Sequence, residues 1–82
     1  MRYQGKCHQA IRTEYKHDAN GNPYLTASCD GKRIRRPRDY GVDVLDAHYQ
    51  TAIELCQLLD WPTDIVGGSL PGKAAAYAWV QK

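Results

Sequence analysis

The sequence has few of the large apolar side chains that usually fill a hydrophobic core. It contains no Phe and one Met among 82 residues, so two Trp and six Tyr must supply much of the buried area. A chain of this length forms one domain with a thin core, to which a homodimer or another partner would add stability. We therefore predict a single domain over residues 1–82 and a possible homodimer.

Paired cysteines and long apolar segments are also missing. The three cysteines, Cys7, Cys29 and Cys56, are an odd number without C-x-x-C spacing, which argues against a disulfide framework and favours a reducing compartment. Residues 1–10 lack the apolar run of a signal peptide, and no stretch approaches the ~20 apolar residues that a bilayer requires. We therefore predict a cytoplasmic protein with no membrane contact.

No group of residues indicates catalysis, a metal or a cofactor. His48 has no nucleophile or carboxylate beside it in the sequence, so we expect it to pack where helix and sheet meet and to bond a neighbouring loop. The cysteines and histidines lack zinc-ligand spacing. The glycine-rich segment 67–73 lacks the Ser or Thr of a phosphate-binding loop, since Ala74 follows Lys73. We predict a non-enzymatic protein without metal or cofactor.

Alternation of residue types predicts three strands in the first half, over residues 5–15, 24–30 and 32–36. In the first strand, Ile11 and Thr13 fall on one face and Arg12 and Glu14 on the other. Turns are expected at residues 20–21 and 30–31, where Asn-Gly and Asp-Gly occur.

The second half predicts one helix and two strands. Leu45, Ala52 and Cys56 belong to a stripe at helical spacing, Asp43 or Asp46 can cap the helix, and residues 61–62 (Trp-Pro) end it. A short strand begins at residues 65–66, a loop is expected over 67–72, and a last strand over 74–80. The order β-β-β-α-β-β predicts an α+β fold, a small antiparallel sheet with one amphipathic helix on one face.

The densest charge in the chain lies in the third strand. Five of the seven residues from 32 to 38 are basic: Lys32, Arg33, Arg35, Arg36 and Arg38. Such a strand is expected at a sheet edge, where charge discourages aggregation. Arg33 and Arg35 share one face and could follow phosphates, while Tyr24 on the neighbouring strand could stack on a base. The plainer alternative is an edge that keeps the protein soluble and pairs with nearby aspartates.

The whole pattern resembles a group of small proteins from phages, plasmids and proteobacterial genomes for which no activity is established. The matching residues are Ile11, Thr13, Tyr15, Asn20, Gly21, Pro37, Asp39, His48, Trp61, Gly67, Gly68, Tyr77, Trp79 and Val80. The chain departs from the pattern at Ala47, where the group has Asn, and at Asp60, where it has Gly. The resemblance implies this fold and a mobile genetic element as the source.

Two contact hypotheses follow. The first is nucleic-acid binding through the basic strand and Tyr24, by charge neutralisation with little reading of bases. The second is a protein-directed inhibitor of a host defence complex, of the anti-CRISPR kind. Such an inhibitor could use the same arginines, or an acidic helix side formed by Asp43, Asp46, Glu54 and Asp60 that would occupy a nucleic-acid channel.

Overall fold

The computed structural model describes residues 9–29, 31–38, 41–71 and 76–82. They form β1 (Ile11–His17), β2 (Pro23–Cys29), β3 (Lys32–Pro37), α1 (Val44–Leu58), β4 (Ile65–Ser69) and β5 (Ala76–Gln81). Neighbouring strands are antiparallel, and the sheet order is β3-β2-β1-β5-β4. The predicted α+β class and element order are confirmed, and β3 lies at an edge. No helix in these ranges has the length and apolar character to cross a membrane.

A loop with several internal hydrogen bonds joins β1 to β2. Asp18 Oδ1 accepts hydrogen bonds from the backbone N–H groups of Asn20, at 2.8 Å, and Asn22, at 2.9 Å. Gly21 adopts φ +82°, a left-handed conformation that glycine takes without steric cost. His17 pairs with Pro23 across this loop, so the hydrogen bonds within the loop fix the connection between the two strands.

The strand boundaries differ in detail from those expected. β1 runs to His17 instead of ending at Tyr15, and residues 9–10 do not belong to it. The earlier part of that predicted strand lies outside the described residues. Gly31 has φ +82°, as expected for the turn between β2 and β3, whereas Asp30 also lies outside them.

Helix α1 ends in a Schellman motif. Trp61 N–H donates to the Cys56 carbonyl at 2.8 Å, and Asp60 N–H donates to the Gln57 carbonyl at 3.3 Å. Asp60 has φ 58°, a left-handed conformation, and the residue at this position of a Schellman motif is usually glycine. At the other end, Asp43 is the N-cap, but its side chain forms no capping hydrogen bond.

The core lies between α1 and the sheet, where the helix packs over β1, β2 and β3. The buried cluster consists of Ile11, Ala27, Ala52, Leu55, Cys56, Ile65 and Trp79. Ile34 packs against it, as expected for the apolar residue of β3. The assignment of Leu45 to the buried stripe is wrong, because its side chain is 51% exposed. Leu45 precedes Ala52 by about 10 Å along the helix axis, at the start of α1, where Val44 is also exposed although Ala47 is buried.

The predicted loop over residues 67–72 is partly wrong, because β4 continues through Gly67 and Gly68 to Ser69. Gly67 pairs with Trp79 of β5, and the indole lies directly over its Cα. A side chain at Gly67 would overlap that ring, so here glycine permits a close approach within a strand. Residues 72–75, where the last strand was expected to begin, lie outside the described ranges.

Candidate nucleic-acid interface

The two faces of the sheet differ in cover. Helix α1 occupies one face, and in the described ranges no helix lies on the other, which we call the open face. The register places these residues of β1–β3 on it: Arg12, Glu14, Lys16, Tyr24, Thr26, Ser28, Arg33 and Arg35. Four of these side chains are basic and one is acidic. This part of the open face therefore attracts anions.

The basic run of β3 divides between the two faces, as the alternation predicts. Arg33 and Arg35 pair with Ser28 and Thr26 and lie on the open face. Lys32 and Arg36 pair with helix-side residues of β2 and lie on the same side as α1. The run therefore does not form one continuous surface.

Arg35 stacks on Tyr24. The Arg35 Cζ atom lies 3.8 Å from the centroid of the Tyr24 ring, a close cation–π contact. Arg35 is exposed and Tyr24 half-buried. The Tyr24 ring, which we predict from the sequence to stack on a base, is thus covered by the Arg35 guanidinium. The outer planar face of that guanidinium can itself stack on an unpaired base.

Arg36 and Arg38 contact the protein itself. Arg36 Nε lies 2.8 Å from Glu54 Oε2 on α1, and both side chains are about half exposed, so the pair contributes little stability. Arg38 Nη1 donates to the Val42 carbonyl at 3.0 Å. These two arginines connect β3 to the helix and to the segment before it, a role outside the one expected for them.

Strand β1 adds two basic residues that the sequence hypothesis does not include. Arg12 Nε and Lys16 Nζ lie 3.3 and 3.9 Å from Glu14 Oε1. Lys16 is directly opposite Tyr24 in the register. The alternation already places Arg12 and Glu14 on one side of β1, but only the register between the strands brings that side next to Tyr24.

The acidic residues of the alternative interface are dispersed. Asp43 precedes α1 and Asp46 lies in its first turn, whereas Asp60 follows its last turn. A helix of 15 residues is about 22 Å long. Glu54 lies between them and contacts Arg36. The four carboxylates therefore do not form one compact patch.

His48 lies between α1 and β1, fully buried. Its Nδ1 is 2.7 Å from Thr13 Oγ1, which also accepts a hydrogen bond from Trp79 Nε1 at 2.9 Å. Burial, together with the nearby charge of Arg38, lowers the pKa of His48, so the ring is neutral at pH 7. Its partner is a strand residue and not the loop residue expected, and the ring packs edge-on to Tyr77.

The described residues contain no group of three His, Cys, Asp or Glu side chains able to hold a metal ion. Cys56 is buried in the core, and this burial raises the pKa of its thiol. The thiol is therefore protonated at neutral pH and behaves as a small apolar side chain.

Comparisons with known proteins do not place the chain in a family. No family model, no curated protein and no solved structure matches it. Its resemblance to small mobile-element proteins stays a prediction, and the case for a function rests on the geometry of the open face.

Proposed function

We propose that this domain binds single-stranded nucleic acid through the open face of β1–β3. The observation that supports this most directly is the exposed Arg35 guanidinium stacked on Tyr24, with Arg33 beside it and Arg12 and Lys16 two strands away. Arginine planes and aromatic rings stack on unpaired bases, and basic side chains contact phosphates. Bases in a duplex are already stacked, so single strands should bind more tightly.

Charge neutralisation would supply most of the affinity. Phosphates would replace Glu14 as the partner of Arg12 and Lys16. If all four open-face cations each neutralise one phosphate, a plot of log affinity against log salt should have a slope of about −3. Contacts of this kind predict little discrimination among sequences over most of the bound strand.

The test is fluorescence anisotropy of a labelled 12-nucleotide strand, and of its duplex, titrated with protein over a salt series. The chain offers a matched pair of variants on the same strand. Arg33→Gln/Arg35→Gln removes two charges from the open face, and Lys32→Gln/Arg36→Gln removes two from the helix side. The open-face variant should bind roughly 10- to 100-fold more weakly, with a shallower salt slope, because it loses two phosphate contacts and a stacking surface. The control should lose only a few-fold.

Two outcomes would overturn the proposal. An equal loss in both double variants would mean that net charge, and not the open face, drives binding. No binding by the parent protein at low salt would remove nucleic acid as the ligand.

The protein-directed inhibitor stays the alternative, because an acidic protein surface would meet the same arginines. Because the acidic residues are dispersed along α1, an inhibitor that acts through the arginines is better supported than one that acts through the acidic helix side. A mobile-element source, action in the cytoplasm and a possible homodimer belong to this proposal as well. Pull-down of a host complex that is lost in Arg33→Gln/Arg35→Gln, without any nucleic-acid binding, would favour the inhibitor.

A further inference from the structure

An open depression lies beside the Arg35–Tyr24 stack. It holds about 350 Å³, toward the small end of the size range of ligand sites. Its lining comes from the β1–β2 loop and from the ends of β2 and β3: Asp18, Asn22, Pro23, Tyr24, Arg35 and Pro37. The depression is thus continuous with the surface proposed to bind a strand.

The walls of this depression are held in place by backbone contacts. Besides the two bonds to Asp18 Oδ1, Asp18 N–H donates to the Asn22 carbonyl and Gly21 N–H donates to the Asp18 carbonyl, both at 3.0 Å. Pro23 and Pro37, whose φ angles are fixed, complete the rim. A ligand would therefore pay little for ordering this site.

Asp18 gives the depression a chemical preference. The backbone N–H of Asn22, with smaller contributions from the N–H of Asn20 and the charge of Arg35, lowers the pKa of the Asp18 carboxyl. The group is therefore an anion at neutral pH, and it accepts hydrogen bonds without donating any. The Asp18 carboxylate itself therefore attracts an amino group and repels a phosphate, whereas Arg35 attracts phosphates.

We propose that this depression is a nucleobase subsite, in which Arg35 and Tyr24 supply the stacking surface and the Asp18 carboxylate selects a base that carries an exocyclic amino group. Cytosine, adenine and guanine present such donors. Uracil presents carbonyl oxygens on both sides of its ring N–H, and these face an anion unfavourably. This inference rests on the proposed function and adds to it a base preference at one position of the strand.

The sharpest comparison is between 12-nucleotide strands of deoxycytidine and deoxyuridine, whose bases differ only at the amino or carbonyl position and the adjoining ring nitrogen. The parent protein should bind the cytosine strand roughly 3- to 10-fold more tightly, since it forms one more hydrogen bond, at a site open to solvent. Asp18→Asn keeps one side-chain oxygen for the loop N–H groups and replaces the other with an N–H₂ donor. In that variant the preference should disappear or reverse.

Asp43→Asn is the control, because it removes the same charge from the N-cap of α1, where no capping bond is lost. It should keep the cytosine preference. Circular dichroism of both variants checks that the loop change leaves the fold intact. Equal binding of the two strands by the parent protein, or an unchanged preference in Asp18→Asn, would overturn the subsite while leaving open-face binding in place. Failure of the parent to bind either strand would overturn both.

Discussion

The contact between Gly67 and Trp79 gives the most quantitative prediction about this fold. A Cβ atom added at Gly67 would lie 2.6 Å from Trp79 Cδ2 and Cζ3, and closer still to Cε3. Trp79 is only 6% exposed and cannot swing into solvent without opening the core. Gly67→Ala should therefore destabilise the domain, although it adds a single methyl group.

The magnitude follows from the contacts that would be lost. Overfilling a packed site costs about 1–3 kcal/mol. Displacing the indole would also weaken its 2.9 Å hydrogen bond to Thr13, at about 1 kcal/mol. Alanine recovers about 0.5 kcal/mol by restricting the unfolded chain. The net loss is about 1.5–3.5 kcal/mol, which for a domain of this size lowers Tm by roughly 6–28 °C.

Gly68→Ala is a matched control on the next residue of β4. A Cβ there meets no atom within 4 Å, and the backbone is not in the left-handed region. This variant should be neutral or slightly more stable than the parent. Urea denaturation followed by far-ultraviolet circular dichroism gives the free energy of unfolding of all three proteins. Equal stabilities of the two alanine variants would refute the argument from the Gly67–Trp79 contact.

Two further predictions concern stability. Asp60→Gly should raise the free energy of unfolding by about 0.5–1 kcal/mol, because glycine occupies the left-handed position without strain; a decrease in urea denaturation would mean that the carboxylate makes a compensating contact. Burial lowers the pKa of His48. As pH falls, His48 is therefore protonated in the unfolded chain at a higher pH than in the folded protein. The free energy of unfolding should decrease as pH drops below about 6.5, by up to about 1.4 kcal/mol per pH unit. His48→Gln should remove this dependence between pH 7.5 and 5.5, whereas a retained slope would assign it to another group.

The fold was predictable wherever side chains carry the signal. Alternation and the Asn20-Gly21 turn define the first hairpin, and helical spacing defines α1. The signal fails at β4, because Gly67 and Gly68 have no side chains from which alternation can be read. Both residues are held in the strand by pairing with Trp79 and Ala78 of β5, and contacts between distant segments leave no local pattern.

The candidate site was predictable in part for a related reason. Alternation separates Arg33 and Arg35 from their neighbours on β3, and this needs no tertiary information. The position of Lys16 opposite Tyr24 could be predicted only from the register between β1 and β2, and the β1–β2 loop determines that register. The depression beside Tyr24 requires that loop and β3 to be brought together, so Asp18 could be recognised from sequence only as a turn residue.

Packing on the open face affects how the variants must be chosen. Thr26 lies on the open face yet is only 2% exposed, and its direct neighbours in the register are Glu14 and Arg35. Long side chains of this kind cover apolar and backbone surface with their methylene groups. Truncation of Arg35 to alanine would remove the methylene groups that lie opposite Thr26 in the register, and would mix a change in packing with the loss of charge. Glutamine keeps part of the stem, so a loss of binding in Arg35→Gln with an unchanged free energy of unfolding reports on the guanidinium itself.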